Sequence, residues 1–268
     1  MKTRTGVALM AGALSVLMLS ACASEPLEPS GENSVTAAAG TKTITVMTYN
    51  VKNCDVGEQI DAIASDIREQ HPAVVCVQEI DKNVDRSGNR DVLRELAAAV
   101  GMNYEFYPAI HLQGGTYGLG IMSVYPLESC TMVPLETRRE DEDRVLAAAT
   151  INVDGKQIRI YNTHLSFEDT DQRKQQWDFL NETLSGEQLP FILTGDFNVA
   201  GMEEFSYLTG VDCVNSDSTH FETYVGDGED GFRCLDNIFI SDGLTLLSGK
   251  MADTSASDHR PLVAEIQL

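Results

Sequence analysis

The sequence predicts a layered α/β protein, in which two β-sheets pack together and helices cover their outer faces. Three observations predict it. Short apolar runs rich in β-branched residues recur from Thr43 to the end of the chain. Segments with helical character separate some of these runs. Other runs are joined by connections of turn length, as in antiparallel hairpins.

The elements follow in order. "TITVMTYNV" (Thr43 to Val51) reads as a strand. "EQIDAIASDIREQ" (Glu58 to Gln70) places Ile60, Ile63, Ala64 and Ile67 at helical spacing, and His71-Pro72 stops it. "AVVCVQEI" (Ala73 to Ile80) is a buried strand, and "DVLRELAAAVG" (Asp91 to Gly101) is a helix with Gly101 as its C-cap. The runs "YEFYPAI", "YGLGIMSV", "RVLAAATINV" and "KQIRIYNTHL" read as strands, with Asp154-Gly155 as a hairpin turn between the last two. A helix covers Asp171 to Leu184, and "FILTGDF" is a strand. Residues 211–233 are irregular and polar; "LDNIFI" and "RPLVAEIQL" are the closing strands. No internal repeat is visible.

The start of the chain reads as an export segment. Lys2 and Arg4 precede an apolar stretch from Gly6 to Leu19, too short for a comfortable membrane span. Leu19-Ser20-Ala21-Cys22 is similar to a bacterial lipobox, whose cysteine is acylated. The expected organisation is a signal peptide at residues 1–21, a lipidated Cys22 and flexible tether at 22–40, and a catalytic domain at 41–268. This places the protein in the cell envelope, as a monomer lipid-anchored on the outer face of a bacterial membrane.

The chain has 268 residues and a formal net charge of −22; loss of residues 1–21 removes two cations and leaves −24. Such a field repels polyanions. Of the six cysteines, five lie beyond Cys22, with no CxxC spacing to suggest zinc. Cys76 reads as a core residue, and Cys213 and Cys234 are candidates for a disulfide.

Polar residues gather at strand ends, where sites are usually built. Asn50, Glu79, His164, Asp196 and Asn198 end strands; Asp236 begins one, and Asp258 and His259 precede the last. If the strand persists through "GDFN", period two puts Asp196 and Asn198 on one side of it. Carboxylates and amides without cysteine suit the hard cations Mg²⁺, Mn²⁺ or Ca²⁺, and two histidines add proton-transfer groups. This is the chemistry of metal-assisted phosphoester hydrolysis.

"TYNV", "CVQEID", "YNTHLS", "LTGDFN", "LDNIFI" and "SDHRPL" together resemble the ordered motifs of the endonuclease/exonuclease/phosphatase superfamily, over residues 43–268. The resemblance implies a four-layered α/β sandwich, deoxyribonuclease I-like, with two facing mixed β-sheets flanked by helices. It implies Mg²⁺ or Mn²⁺ held by Glu79, with Asn50 beside it and Asp258 completing the surroundings. Asp196 would orient or deprotonate the attacking water, Asn198 would hold a phosphate oxygen, and Asp236 would orient His259. His164 and His259 would contact the phosphate or move a proton. Where relatives carry an arginine after a serine, Val124 follows Ser123, a departure that implies the loss of a cationic phosphate contact or of a salt bridge. Acidity favours a small or lipid-headgroup phosphoester as substrate over nucleic acid, whose binding draws on clustered Lys and Arg. A surface binding module without turnover is the least favoured reading.

Overall fold

A computed structural model describes residues 42–225 and 233–268. The expected signal peptide, Cys22 and tether lie outside the described residues. Among the described residues, twelve strands form two six-stranded sheets. The first half of the chain supplies β1 (Thr43–Asn50), α1 (Ile60–Gln70), β2 (Val74–Lys82), α2 (Val92–Val100), β3 (Asn103–Leu112), β4 (Gly115–Ser123) and β5 (Glu128–Pro134). The second supplies β6 (Val145–Val153), β7 (Lys156–His164), α3 (Thr170–Ser185), β8 (Phe191–Asp196), β9 (Val211–Cys213), β10 (Asp236–Ser241), β11 (Thr245–Met251) and β12 (Leu262–Gln267).

One sheet has the order β11-β12-β1-β2-β4-β3, the other β5-β6-β7-β8-β10-β9. Each is built around a parallel pair, β1/β2 or β7/β8, joined through a helix, and its other pairings are antiparallel. Period two sorts the apolar residues into layers. Val46, Cys76, Ile160, Ile192 and Ile238 fill the core between the sheets. Met47, Val75 and Val77 face outward onto Ile63 and Ile67 of α1 and Leu93 and Leu96 of α2. Leu193 and Phe239 face outward onto Trp177 and Leu180 of α3. Both faces of the central strands are covered, so they read as continuous apolar runs. The result is the expected four-layered α/β sandwich.

Local signals explain the boundaries. The Asp91 side chain caps α2 by accepting from the Arg94 amide, and Gly101 ends the helix at φ +72. Asp154 and Gly155 (φ 52 and 94) close the β6–β7 hairpin. Three strands escape the sequence reading. Every residue of β5 is exposed, β11 is largely exposed, and β9 has three residues within the stretch read as irregular. Such edge strands carry no alternation of burial to announce them.

All five cysteines among the described residues are free, so the candidate Cys213–Cys234 disulfide is not formed. The Cys213 thiol contacts the Asn215 carbonyl oxygen instead, at 3.0 Å. Cys76 is fully buried in the inter-sheet core, as expected. Among the described residues, no helix is long and apolar enough to cross a membrane.

Candidate active site

The topology carries the polar strand ends to one place. β7 and β8 run parallel with His164 opposite Asp196, while β10 runs antiparallel with Asp236 opposite Asp196. Asn50, at the end of β1, lies level with Gln78 of the parallel β2. These ends open on a cleft of about 600 Å³ lined by Glu79, His164, Asp196, Asn198, Asp258 and His259.

The chain bends at two of these residues. Gly195 lets β8 approach β7: a Cβ there would lie 2.4 Å from the Thr163 carbonyl oxygen. β8 then ends at Asp196, and Phe197 is buried against Trp177 with ring centroids 4.9 Å apart. The strand does not persist to Asn198, which adopts φ 48. Period two therefore does not explain the shared orientation of Asp196 and Asn198. Instead the left-handed turn folds Asn198 back, so that its amide N–H donates to Asp196 Oδ1 at 3.0 Å and its side chain donates to the Leu165 carbonyl at 2.9 Å. The second bend is at Glu79, which does not end β2 but sits inside it at φ +61. A non-glycine residue held there costs about 1–3 kcal/mol, a strain that tends to collect at sites.

Asp196 is the hub. Asn50 Nδ2 donates to Glu79 Oε1 and to Asp196 Oδ2, each at 2.9 Å. The Nε2 atoms of His164 and His259 both stand 3.6 Å from Asp196 Oδ2. That is beyond a direct hydrogen bond. His259 Nδ1 meets Asp236 Oδ2 at 2.7 Å, which fixes the ring and leaves Nε2 for the cleft. Asp258 lies further out, paired with Lys52 Nζ at 2.9 Å.

The environment separates the two imidazoles. Burial, then the charges of Arg144 and His259, hold His164 well below the ordinary imidazole range, so it is neutral at pH 7. Burial also opposes a charge on His259, but Asp236 and Asp196, the hydrogen bond to Asp236, and Asp258 push it up to about 10. Burial pushes the Asp196 carboxyl up to about 7; His259 opposes this and Asp236 adds to it.

Asp196, Asp236 and His259 form a group whose ligand atoms lie within 4.8 Å of one another. Two of them already face each other across the 2.7 Å contact. Glu79 offers a different donor: among the described residues its Oε2 takes no hydrogen bond, while Oε1 is held by Asn50. A carboxylate oxygen open to a cleft, with an amide beside it, fits a hard divalent cation.

Two cations of the cleft went unread in the sequence. Arg144, just before β6, is buried at 3% exposure and pairs with Glu142 at 2.8 Å, yet its Nε has no hydrogen-bond partner. Arg86 grips Asp81 with two bonds of 2.8 Å, its guanidinium 5.5 Å from the centre of the Tyr117 ring. Both line the cleft. Val124, by contrast, lies just past the far end of β4, its amide bonded to the Ala73 carbonyl, and does not line the cleft, so an arginine there would not have reached the site. Isolated arginines in loops carry no sequence signal that separates them from surface charge.

A family model described as "Endonuclease/Exonuclease/phosphatase family" matches residues 47–259. A UPF0294 protein of Yersinia pseudotuberculosis is 29% identical over 160 residues, which cover 55% of this chain and 58% of the relative. The matched segment thus spans little more than half the length of that relative. Among solved structures, an endonuclease/exonuclease/phosphatase family protein of Bacteroides thetaiotaomicron superposes with a TM-score of 0.70 at 15% identity, covering 85% of this chain and 98% of that one. A mannosyl-6-phosphatase of the same organism gives a TM-score of 0.66 at 15% identity, covering 83% and 99%. The family match over most of the chain, with its motifs meeting in one cleft, identifies the protein as a member of the endonuclease/exonuclease/phosphatase family.

Proposed function

We propose that the protein is a divalent-metal-dependent phosphoester hydrolase, tethered to the cell envelope through Cys22, that acts on small or lipid-headgroup phosphoesters. The observation that carries this reading is the position of Asp196. It stands between two imidazoles of opposite charge preference and is tied through Asn50 to Glu79.

Glu79 and Asn50 hold Mg²⁺ or Mn²⁺, with Asp258 and its Lys52 partner at the outer edge. Bound there, the ion supplies Lewis-acid stabilisation of charge on the phosphoryl oxygens. Asp196, with a pKa of about 7, orients the attacking water and takes its proton near neutral pH. His259, kept cationic by Asp236, presents Nε2 to a phosphoryl oxygen. Neutral His164 donates a hydrogen bond from the other side. Asn198 holds a further oxygen, and the guanidinium of Arg144 in the cleft wall adds positive charge beside it.

The substrate class follows from charge. A chain of −22 repels nucleic acid at long range, and its cleft offers two arginines rather than a basic track. A fold shared with a mannosyl-6-phosphatase is compatible with a small substrate. The test is a panel of sphingomyelin, phosphatidylinositol lipids, inositol phosphates, plasmid DNA and RNA, each with Mg²⁺ or with chelator. Turnover of a small or lipid phosphoester that chelation abolishes is expected. Faster turnover of DNA or RNA would replace the substrate assignment, and undiminished turnover in chelator would refute the metal dependence.

A further inference from the structure

Glu79 reaches the cleft only because β2 carries an extra residue. β2 and β4 pair from Val74↔Ser123 to Val77↔Gly120, and pairing resumes at Ile80↔Gly118. Gln78 and Glu79 thus face the single residue Leu119, which defines a β-bulge. Its effect shows in the layers. Val75 and Val77 face the helices, and so does Ile80, three positions later instead of two or four. In a regular strand Glu79 would take the helix-facing place and bury its carboxylate among Leu93, Leu96 and Ile63. The inserted residue sends Ile80 there and leaves Glu79 at the cleft with φ +61.

A bulge interrupts the ladder, so something must satisfy its backbone and hold its shape. The opposite sheet does this. Asn162, on β7, donates from Nδ2 to the Val77 carbonyl at 2.9 Å and to the Gly120 carbonyl at 3.0 Å. These are the two residues paired immediately before the bulge. Asn162 Oδ1 accepts from Gln78 Nε2 at 2.7 Å, and the same Nε2 donates to Thr48 Oγ1 at 3.0 Å. Thr48, Gln78 and Asn162 are fully buried between the sheets, and of their side-chain polar atoms Gln78 Oε1 is left without a partner. Asn162 has both its amide nitrogen and its amide oxygen bonded, and a buried amide so satisfied favours the one arrangement that pairs it.

We propose that Asn162 and Gln78 form an inter-sheet latch that holds the β2 bulge and so positions Glu79 to bind the divalent cation. They are positioning residues and touch neither substrate nor ion. The inference rests on the reading of Glu79 as the cation ligand. The latch also ties the two halves of the cleft together, since Asn162 lies two residues before His164 on β7.

The test uses the full-length protein, freed of metal, with Mn²⁺ alone as probe. Asn162→Leu keeps similar volume and removes the three bonds that Asn162 makes across the sheets, leaving the one from Gln78 to Thr48. Its Mn²⁺ affinity, by electron paramagnetic resonance titration, is expected to fall 10–100-fold, the usual cost of losing a group that orients a ligand. Turnover at saturating Mn²⁺ should stay within a few-fold of wild type. In the metal-free variant, the Glu79 Cα and Cβ chemical shifts should move from left-handed to extended values. Gln78→Met, which leaves the Asn162 donors in place, should move affinity in the same direction by less, and it decides the matter if Asn162→Leu does not fold. Unchanged Glu79 shifts, or Mn²⁺ affinity within twofold of wild type, in whichever of the two variants folds would overturn the latch. Glu79→Gln is the separate control: wild-type Mn²⁺ affinity there would refute Glu79 as ligand, whatever the latch does.

Discussion

Asp196 and Glu204 are buried carboxylates eight positions apart, and they behave in opposite ways. Glu204 receives the Arg173 guanidinium through two bonds of 2.6 and 2.7 Å, and the Ala200 amide N–H at 2.8 Å. Burial alone would raise its pKa, but Arg173 and the Ala200 amide outweigh it and hold the carboxyl below its ordinary range. Asp196 receives one side-chain amide and one backbone N–H, and the nearby imidazoles stop at 3.6 Å. Its pKa rises to about 7, with burial as the main cause. Burial by itself therefore makes neither a structural nor a reactive carboxylate. Complete pairing makes the first and deliberate under-pairing makes the second.

The sharpest way to break this comparison is to neutralise each member. Asp196→Asn should lower turnover by about 10²–10⁴-fold, the usual worth of a positioned proton acceptor. Its melting temperature should not fall, because a poorly compensated buried acid is removed. Turnover within tenfold of wild type would make Asp196 structural too.

Arg173→Met should do the reverse. It strands Glu204 and should cost about 3–5 kcal/mol in urea unfolding, with turnover per folded molecule retained. Adding Glu204→Leu should recover most of that loss, since an apolar pair of similar volume is often no worse. A loss that persists in the double variant would mean that Arg173 supports the fold through more than this ion pair.

Proton linkage gives the two sites opposite slopes. Glu204 has a depressed folded pKa, so its contribution is full above the unfolded carboxylate value and is lost as pH falls through the folded one. Asp196 has a raised pKa: as pH climbs from about 4 to about 7 the unfolded chain ionises first, and stability falls by up to a few kcal/mol. Urea midpoints of the chelated protein between pH 3 and 8 read both limbs. Glu204→Gln should flatten the acid limb and Asp196→Asn the other.

The smallest effect belongs to the exposed pair at the edge of the cleft. Lys52 is 53% exposed, so Lys52→Ala should change stability by less than about 1 kcal/mol by thermal melting. A larger loss would bring the Asp258 pair into the class of Arg173 and Glu204.

How much of this was legible in the sequence depends on which rule places each residue. Strands buried on both faces, such as β2, β8 and β10, announced themselves as apolar runs, whereas β5 and β11 lie at sheet edges and did not. Asn50, His164, Asp196 and Asp236 could be read because they sit at strand ends in recognisable motifs. Arg173 stands beside Lys174 in the sequence with nothing to mark it, and is buried against Glu204, thirty-one positions along the chain. Arg144 gave no sign of lining a cleft.

The sequence by itself determined the layered architecture, the family and the set of polar residues that meet, because periodicity and motif order are properties of a linear chain. The tertiary structure decided the rest: the bulge that turns Glu79 to the cleft, the left-handed turn at Asn198, the free thiols of Cys213 and Cys234, and the contrary pKa shifts of Asp196 and Glu204. Each depends on what a distant segment presents across a few ångströms, and that distance is not written in the spacing of residues along the chain.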